Sequence, residues 1–303
     1  MPRQNPHATF AALMVEVVWI NGRLYPRHQA RISAFDHGFL YGDSVYETIR
    51  TSHGHPFLLE RHLERLSQSA VLLDLPLDRQ PADYRQAVET AIAAGGNKES
   101  ALRIVVTRGV GDIGYDRALC ASPTTLIYVK PLLPIRNPIL RRGIAVVIVD
   151  IRRNDGRAVS PTIKSGNLLN NLLASHEAQK KGVQEGIMLN GSGELAEGTM
   201  TNLFVVRRGR LMTPPLEAGI LPGITRAFVM DLARKVGIKT HETPLRPPDL
   251  MASDEAFLTG TTRGILPIIS VDQTPVGLGV SGPVTRRLID LFDAEEDAMA
   301  AAL

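Results

Sequence analysis

A two-domain α+β fold is predicted by three features of this 303-residue chain. Short apolar strands joined by glycine turns recur in both halves. Helical stretches are interleaved with them, and "KPLLPIRNP" places three prolines in nine residues between the halves. Proline cannot continue a helix and fits a central strand poorly, so 130–138 reads as a linker. The expected layout is a flexible extension over 1–13, a small domain over 14–129, the linker, and a larger domain over 139–303.

Along the first domain, "VEVVWINGRLYP" predicts a hairpin about Asn21-Gly22, a dipeptide suited to the left-handed turn a tight hairpin needs. "SVYETIRTSHGHPFLL" repeats the device at His53-Gly54-His55. In "ERHLERLSQSAVLLDL", Leu63, Leu66, Ala70 and Leu73 share one helical face. "PADYRQAVETAIAAGG" reads as a second helix ended by glycine, followed by the strands "SALRIVVTRG" and "TTLIYVKPL". In the second domain, "GIAVVIVDI" reads as a buried strand and "SGNLLNNLLASHEAQKKG" as an amphipathic helix ended at Gly182. Strands with glycine turns follow from Glu185 to Pro215, then the helix "GITRAFVMDLARKVG" and the strand-loop-strand "EAFLTGTTRGILPIISVD".

Composition excludes several function classes. Hydrophobic residues make up 44% and charged residues 21%, the balance of a globular chain. The net charge of +3 is small and its basic residues scattered, which gives no footprint for nucleic acid. No apolar run approaches the ~20 residues of a membrane span, and the start lacks a secretory h-region. Cys120 is the single cysteine, so a cysteine-built metal site is not expected, and the spacings of His37, His53, His55 and His62 match no common zinc pattern. A cytoplasmic location is expected. "GVGDIG" (109–114) has no helix after it to make a dinucleotide loop, and "NGSGE" (190–194) lacks the flanks of a nucleophile elbow.

The candidate chemistry centres on "SPTIKSGNLLNN". Most lysines pack their stem and keep the head in water. A lysine in a partly buried setting has its charge disfavoured, and Lys164 could then be a neutral nucleophile and base. Gly223 precedes a helix, so the unpaired N–H groups of Ile224 and Thr225 could receive an anion such as phosphate. "TGTTRG" (259–264) is a second loop rich in hydroxyl donors, with Thr261 and Thr262 at its centre. Glu197 lies between two apolar strands, either as a turn carboxylate or as an acid held against a heterocycle nitrogen. Arg61 and Arg65 stand on adjacent helical turns, and one turned inward would make a phosphate fork.

In order, "HGFLYGDSVYETIR", "HLERL", "RIVVTRGVGDIG", "IKSGNLLNN", "ELAEGTMTNLF", "LPGITR" and "TGTTRGILPI" give the chain, from about Val17 to Ile289, a resemblance to the fold-type IV (class IV) pyridoxal-phosphate aminotransferases. That family includes branched-chain and D-amino-acid aminotransferases and aminodeoxychorismate lyases. The resemblance implies a D-amino-acid-aminotransferase-like fold and pyridoxal 5′-phosphate as cofactor, with no metal. Lys164 would carry the cofactor as a Schiff base and then act as the catalytic base. Glu197 would bind the pyridine nitrogen. Arg65, in the H-x-x-R-L pattern, would join Ile224, Thr225 and Thr261 on the phosphate. The family's site lies between its domains and borrows residues from a second subunit, so a homodimer or larger homo-oligomer is implied.

Within the family, "RIVVTRGVGDIGYD" is similar to the branched-chain type, and Arg103 falls where that group keeps a pocket arginine. Tyr41 matches a pocket tyrosine, and the Arg-x-His carboxylate trap of D-amino-acid enzymes is missing after "TRG". Tyr46 and Thr48 stand where Phe and Gly are usual, Ala101 replaces a pocket tyrosine, and Leu168 replaces a tyrosine near the cofactor. Tyr41, Tyr46, Arg103 and Thr262 are the expected substrate contacts. The expected reaction moves an amino group from a branched-chain-like L-amino acid to a 2-oxo acid such as 2-oxoglutarate. Transamination of D-amino acids or (R)-amines, and aminodeoxychorismate lyase activity, are the alternatives.

Overall fold

The structure, a computed structural model, describes residues 16–132 and 141–302. The chain divides into two compact units, Met1–Leu133 and Pro134–Ala302. The expected extension over 1–13 lies outside the described residues, as does 133–138 of the expected linker. Mixed helix and sheet in both units is the predicted α+β class.

In the first unit, β1 (Val17–Ile20) and β2 (Arg23–Pro26) form the expected hairpin, with Asn21 and Gly22 at φ of 45° and 97°. A short helix α1 (His37–Tyr41) leads into β3 (Ser44–Ser52), which turns at His53-Gly54 into β4 (His55–Pro56). Helices α2 (Leu59–Leu72) and α3 (Pro81–Gly95) precede β5 (Ser100–Thr107) and β6 (Thr124–Pro131). The sheet is antiparallel, in the order β2-β1-β6-β5-β3-β4. Helix α2 buries Leu59, Leu63, Leu66 and Ala70. The same inward face carries His62, Arg65 and Ser69. That periodicity turns Arg65 inward while Arg61 stays exposed.

The second unit contains β7 (Ile144–Ile148), α4 (Leu169–Lys180), β8 (Glu185–Leu189), β9 (Leu195–Gly198), β10 (Asn202–Arg207) and β11 (Arg210–Thr213). Next come α5 (Ile224–Lys235), β12 (Thr240–Glu242), α6 (Pro247–Met251), β13 (Glu255–Gly260), β14 (Gly264–Val271), β15 (Thr274–Pro275) and α7 (Pro283–Ala301). Its sheet runs β12-β11-β10-β13-β14-β7-β8-β9, and β9 pairs again with β10. The strands β10-β13-β14-β7-β8-β9 therefore close on themselves, which removes sheet edges. Leu195, Leu203, Val205, Leu258, Leu266 and Ile268 belong to one buried cluster of this unit. Closure between β9 and β10 is made at one register pair, Glu197 with Asn202.

Helix α4 corrects the amphipathic expectation. Leu169, Leu172 and Leu173 are 67%, 51% and 46% exposed, and the buried positions are Ala174 and Ala178. Gly186 explains the choice of face. A Cβ there would lie 2.7 Å from Val149 Cγ1 and 3.3 Å from the Ala178 Cβ, so helix and strand approach too closely for leucine between them.

Candidate active site

Lys164 sits in the segment between β7 and α4, half-buried, with tight turns on either side: Ile163 N donates to Ser160 O at 3.2 Å and Ser165 N to Ile163 O at 2.9 Å. It reaches the neighbourhood of Glu197, on which its charge acts. Glu197 is 5% exposed, within β9 rather than in a turn. Its Oε2 accepts from Leu221 N at 3.0 Å and from Asn202 Nδ2 at 3.2 Å, and its Oε1 is ion-paired with Arg153 Nε at 2.8 Å. Burial pushes the Glu197 carboxyl above the usual carboxylate range, against the opposing pull of Arg153, the Leu221 N–H and Lys164.

The α5 start comes to the same place. Asn202 Nδ2 donates to Leu221 O at 3.0 Å, and a Cβ on Gly223 would stand 1.9 Å from Asn202 Oδ1. Only glycine lets the chain pass that close before Ile224 and Thr225 open the helix, both at 8% exposure. Asn202 also pairs across the sheet with Thr259, whose buried hydroxyl has no hydrogen-bond partner. Thr261 and Thr262, half-buried, form the β13–β14 turn closed by Arg263 N donating to Gly260 O at 3.1 Å. Arg263 Nη1 anchors that turn to Glu185 Oε2 at 2.7 Å, and the buried Glu185 also accepts from Thr199 N at 2.7 Å and from the Thr199 hydroxyl.

In the first unit, Arg65 donates through Nε and Nη2 to Glu47 Oε1 and Oε2 at 2.7 and 2.8 Å. His62 Nδ1 lies 2.7 Å from Glu47 Oε2. The fork expected for a phosphate grips a carboxylate here. Arg103 stacks over the Tyr46 ring at 4.0 Å, and Tyr41 accepts from Gly114 N at 3.0 Å. Successive strand residues face opposite sides, so Tyr46 with Arg103 and Glu47 with Arg65 lie on opposite faces of β3. Within this unit the four expected site residues are not one cluster.

Two residues of the second-unit site went unmarked in the sequence. Arg153 lies in a charged loop that reads as solvated, and Asn202 reads as an ordinary strand residue. Among the described residues no group of three or more His, Cys, Asp or Glu could hold a metal, and no helix is long and apolar enough to cross a membrane.

The second-unit residues fit pyridoxal phosphate. A buried carboxylate with cationic support would suit a ring nitrogen that must stay protonated. A glycine-led helix start would suit the phosphate, and the unpaired Thr259 hydroxyl is a buried donor in the same region.

Residues 44–271 match the family described as amino-transferase class IV. A Methanocaldococcus jannaschii protein, provisionally assigned as a branched-chain-amino-acid aminotransferase, is 37% identical over 277 residues, 91% of this chain and 94% of its own. The aminodeoxychorismate lyase of Bacillus subtilis is 32% identical over 282 residues, 92% of this chain and 94% of its own. The crystal structure of a Thermobaculum terrenum branched-chain amino acid aminotransferase in its pyridoxal-phosphate form superposes with a TM-score of 0.84 at 29% identity, covering 94% of each chain.

Proposed function

From the chain's membership of the class IV aminotransferases, a pyridoxal-phosphate-dependent family to which it belongs by these matches, we propose that it transfers the amino group of a branched-chain-like L-amino acid to 2-oxoglutarate. The observation that carries the reading is the Glu197 site: a buried carboxylate that feels both Arg153 and Lys164, at the point where the sheet closes and α5 begins. Bound pyridoxal phosphate supplies the carbonyl that accepts the amino group and a ring that withdraws electrons from the donor's α-carbon. Lys164 Nζ would be the base that takes the proton from that α-carbon. Glu197 keeps a proton on the ring nitrogen, whose positive charge would in turn draw the raised carboxyl down. The Ile224 and Thr225 N–H groups and the Thr261 hydroxyl would bind the phosphate; Arg65, its expected guanidinium partner, already holds Glu47 through Nε and Nη2. Tyr41, Tyr46, Arg103 and Thr262 contact the substrate, and the active assembly is a homodimer or larger.

The donor class rests on the Methanocaldococcus and Thermobaculum relatives. The Bacillus lyase favours a second reading, in which the same site releases pyruvate from aminodeoxychorismate without an acceptor. The test mixes the cofactor-loaded protein with L-amino acids, D-amino acids and (R)-amines, without acceptor. Loss of the visible cofactor absorbance with L-leucine or L-valine supports the proposal. Reaction with D-amino acids or (R)-amines alone, or pyruvate release from aminodeoxychorismate alone, overturns it.

A further inference from the structure

Arg153 stands outside the regular strands and helices, yet it touches both halves of the second-unit site. Its Nε is 2.8 Å from Glu197 Oε1, and its Nη1 donates to Asn170 Oδ1 at 3.2 Å and Asn171 Oδ1 at 3.3 Å. Those asparagines lie in the first turn of α4, the helix that begins just past Lys164. Each is fixed in turn: Asn170 Nδ2 donates to Arg152 O at 2.8 Å, and Asn171 Nδ2 to Thr199 O at 2.8 Å. A polar chain therefore runs from Glu197 through Arg153 to the Lys164 segment, and returns to the turn just after Glu197.

Resting on the reading of Lys164 and Glu197 above, we propose that Arg153 is a positioning residue, a strut that ties the Glu197 carboxylate to the segment carrying Lys164 and sets a permanent positive charge beside it. Geometry requires arginine. The planar guanidinium sets Nε beside the carboxylate as an ion pair, short of hydrogen-bond alignment, while Nη1 donates to the two amide oxygens, a spread of contacts that a compact lysine ammonium does not match. Charge requires it as well. Glu197 faces two neutral donors, the Leu221 N–H and the Asn202 amide, and two cations, Arg153 and Lys164. A base must shed its proton, so Lys164 cannot keep its charge through a turnover. The guanidinium never loses its own. With Arg153 gone, burial would favour the protonated Glu197 further, and a neutral acid cannot hold a proton on the ring nitrogen.

The test compares the wild type with Arg153→Gln, Arg153→Lys and Asn171→Ala. Infrared difference spectra of the cofactor-free full-length protein, referenced to Glu197→Gln, follow the Glu197 carboxyl with pH. The pH profiles of kcat and KM follow in the loaded enzyme. In Arg153→Gln the protonated carboxyl should persist at least ~1 pH unit higher, with kcat down ~100-fold and KM changed far less. Arg153→Lys should restore the carboxyl titration and only part of kcat. Asn171→Ala should leave the titration in place and lower kcat by ~10-fold or less. An unchanged carboxyl titration in Arg153→Gln overturns the inference. Should Arg153→Gln fail to fold, an Arg153→Lys enzyme with full wild-type kcat overturns the need for the guanidinium, and a reduced kcat with a restored titration supports it. A wild type that takes up no pyridoxal phosphate would instead sink the reading of the site, leaving the cofactor-free titration to decide the hold of Arg153 on Glu197.

Discussion

Glu47 in the first unit and Glu197 in the second are each buried against an arginine, and the two carboxyls move in opposite directions. Glu47 meets two nitrogens of Arg65 and the ring of His62. Burial alone would raise its pKa, yet Arg65 and His62 outweigh burial and hold it at about 2. Glu197 is buried too, but one nitrogen of Arg153, the weaker pull of Lys164 and two neutral donors do not outweigh burial, and its carboxyl is raised. The contrast teaches that burial beside an arginine does not define a role. A carboxylate saturated by a fork and a histidine is locked. One held by a single cation contact keeps a capacity for a further positive partner, which a catalytic acid requires.

The most damaging test of that contrast is Lys164→Ala. Removal of the base should cut the half-reaction rate with L-leucine by ~1000-fold or more, read by single-turnover stopped flow. Unfolding in urea should differ little from wild type, because Lys164 is half-buried. Next comes the pair Glu197→Gln and Glu47→Gln. The first should lower kcat by ~100-fold with a modest effect on unfolding. The second should cost ~3 kcal/mol of stability, since it leaves the buried Arg65 without its carboxylate.

The pH dependence sharpens the same comparison, with opposite signs. The folded-state value of Glu47 lies below its ordinary 4.5, so its stabilisation is complete above that pH and is lost as pH falls toward about 2. The melting-temperature gap between wild type and Glu47→Gln should narrow over that window. The folded-state value of Glu197 is raised, so its contribution is present below the ordinary carboxylate range and is lost as pH rises through the raised value. In the cofactor-free protein, Glu197→Gln should therefore gain on wild type as pH rises. Parallel slopes for the two variants would erase the distinction. The smallest effect expected is Thr261→Ala, which should weaken pyridoxal-phosphate binding by ~10-fold, measured by titration of the visible absorbance.

Local features were legible in the sequence. Asn21-Gly22 announces its hairpin because the turn needs left-handed residues in sequence, whereas Gly223, with extended backbone, is needed because a Cβ would collide with Asn202 ahead of the helix start. Lys164 and Glu197 stood out because a lysine among apolar neighbours and an acid between apolar strands are both unusual. The surroundings of Glu197 were not legible. Its burial depends on the closing pair with Asn202, and its cation arrives from a loop 44 positions earlier in the chain, 153 against 197. The hint that could have found Arg153 is Asn170-Asn171, two amides in the first turn of a helix, where such residues are poor formers unless bonded elsewhere. The leucines of α4 misled because periodicity marks an apolar stripe without saying which stripe a glycine on the facing strand admits.

The central claim is that Lys164 carries the cofactor beside Glu197. Borohydride reduction of the loaded wild-type protein, followed by peptide mass spectrometry, tests it directly. The account predicts the reduced pyridoxyl phosphate mass on the peptide containing Lys164 and on no other lysine. The same mass on a different lysine, or its persistence in Lys164→Ala at wild-type yield, would contradict it.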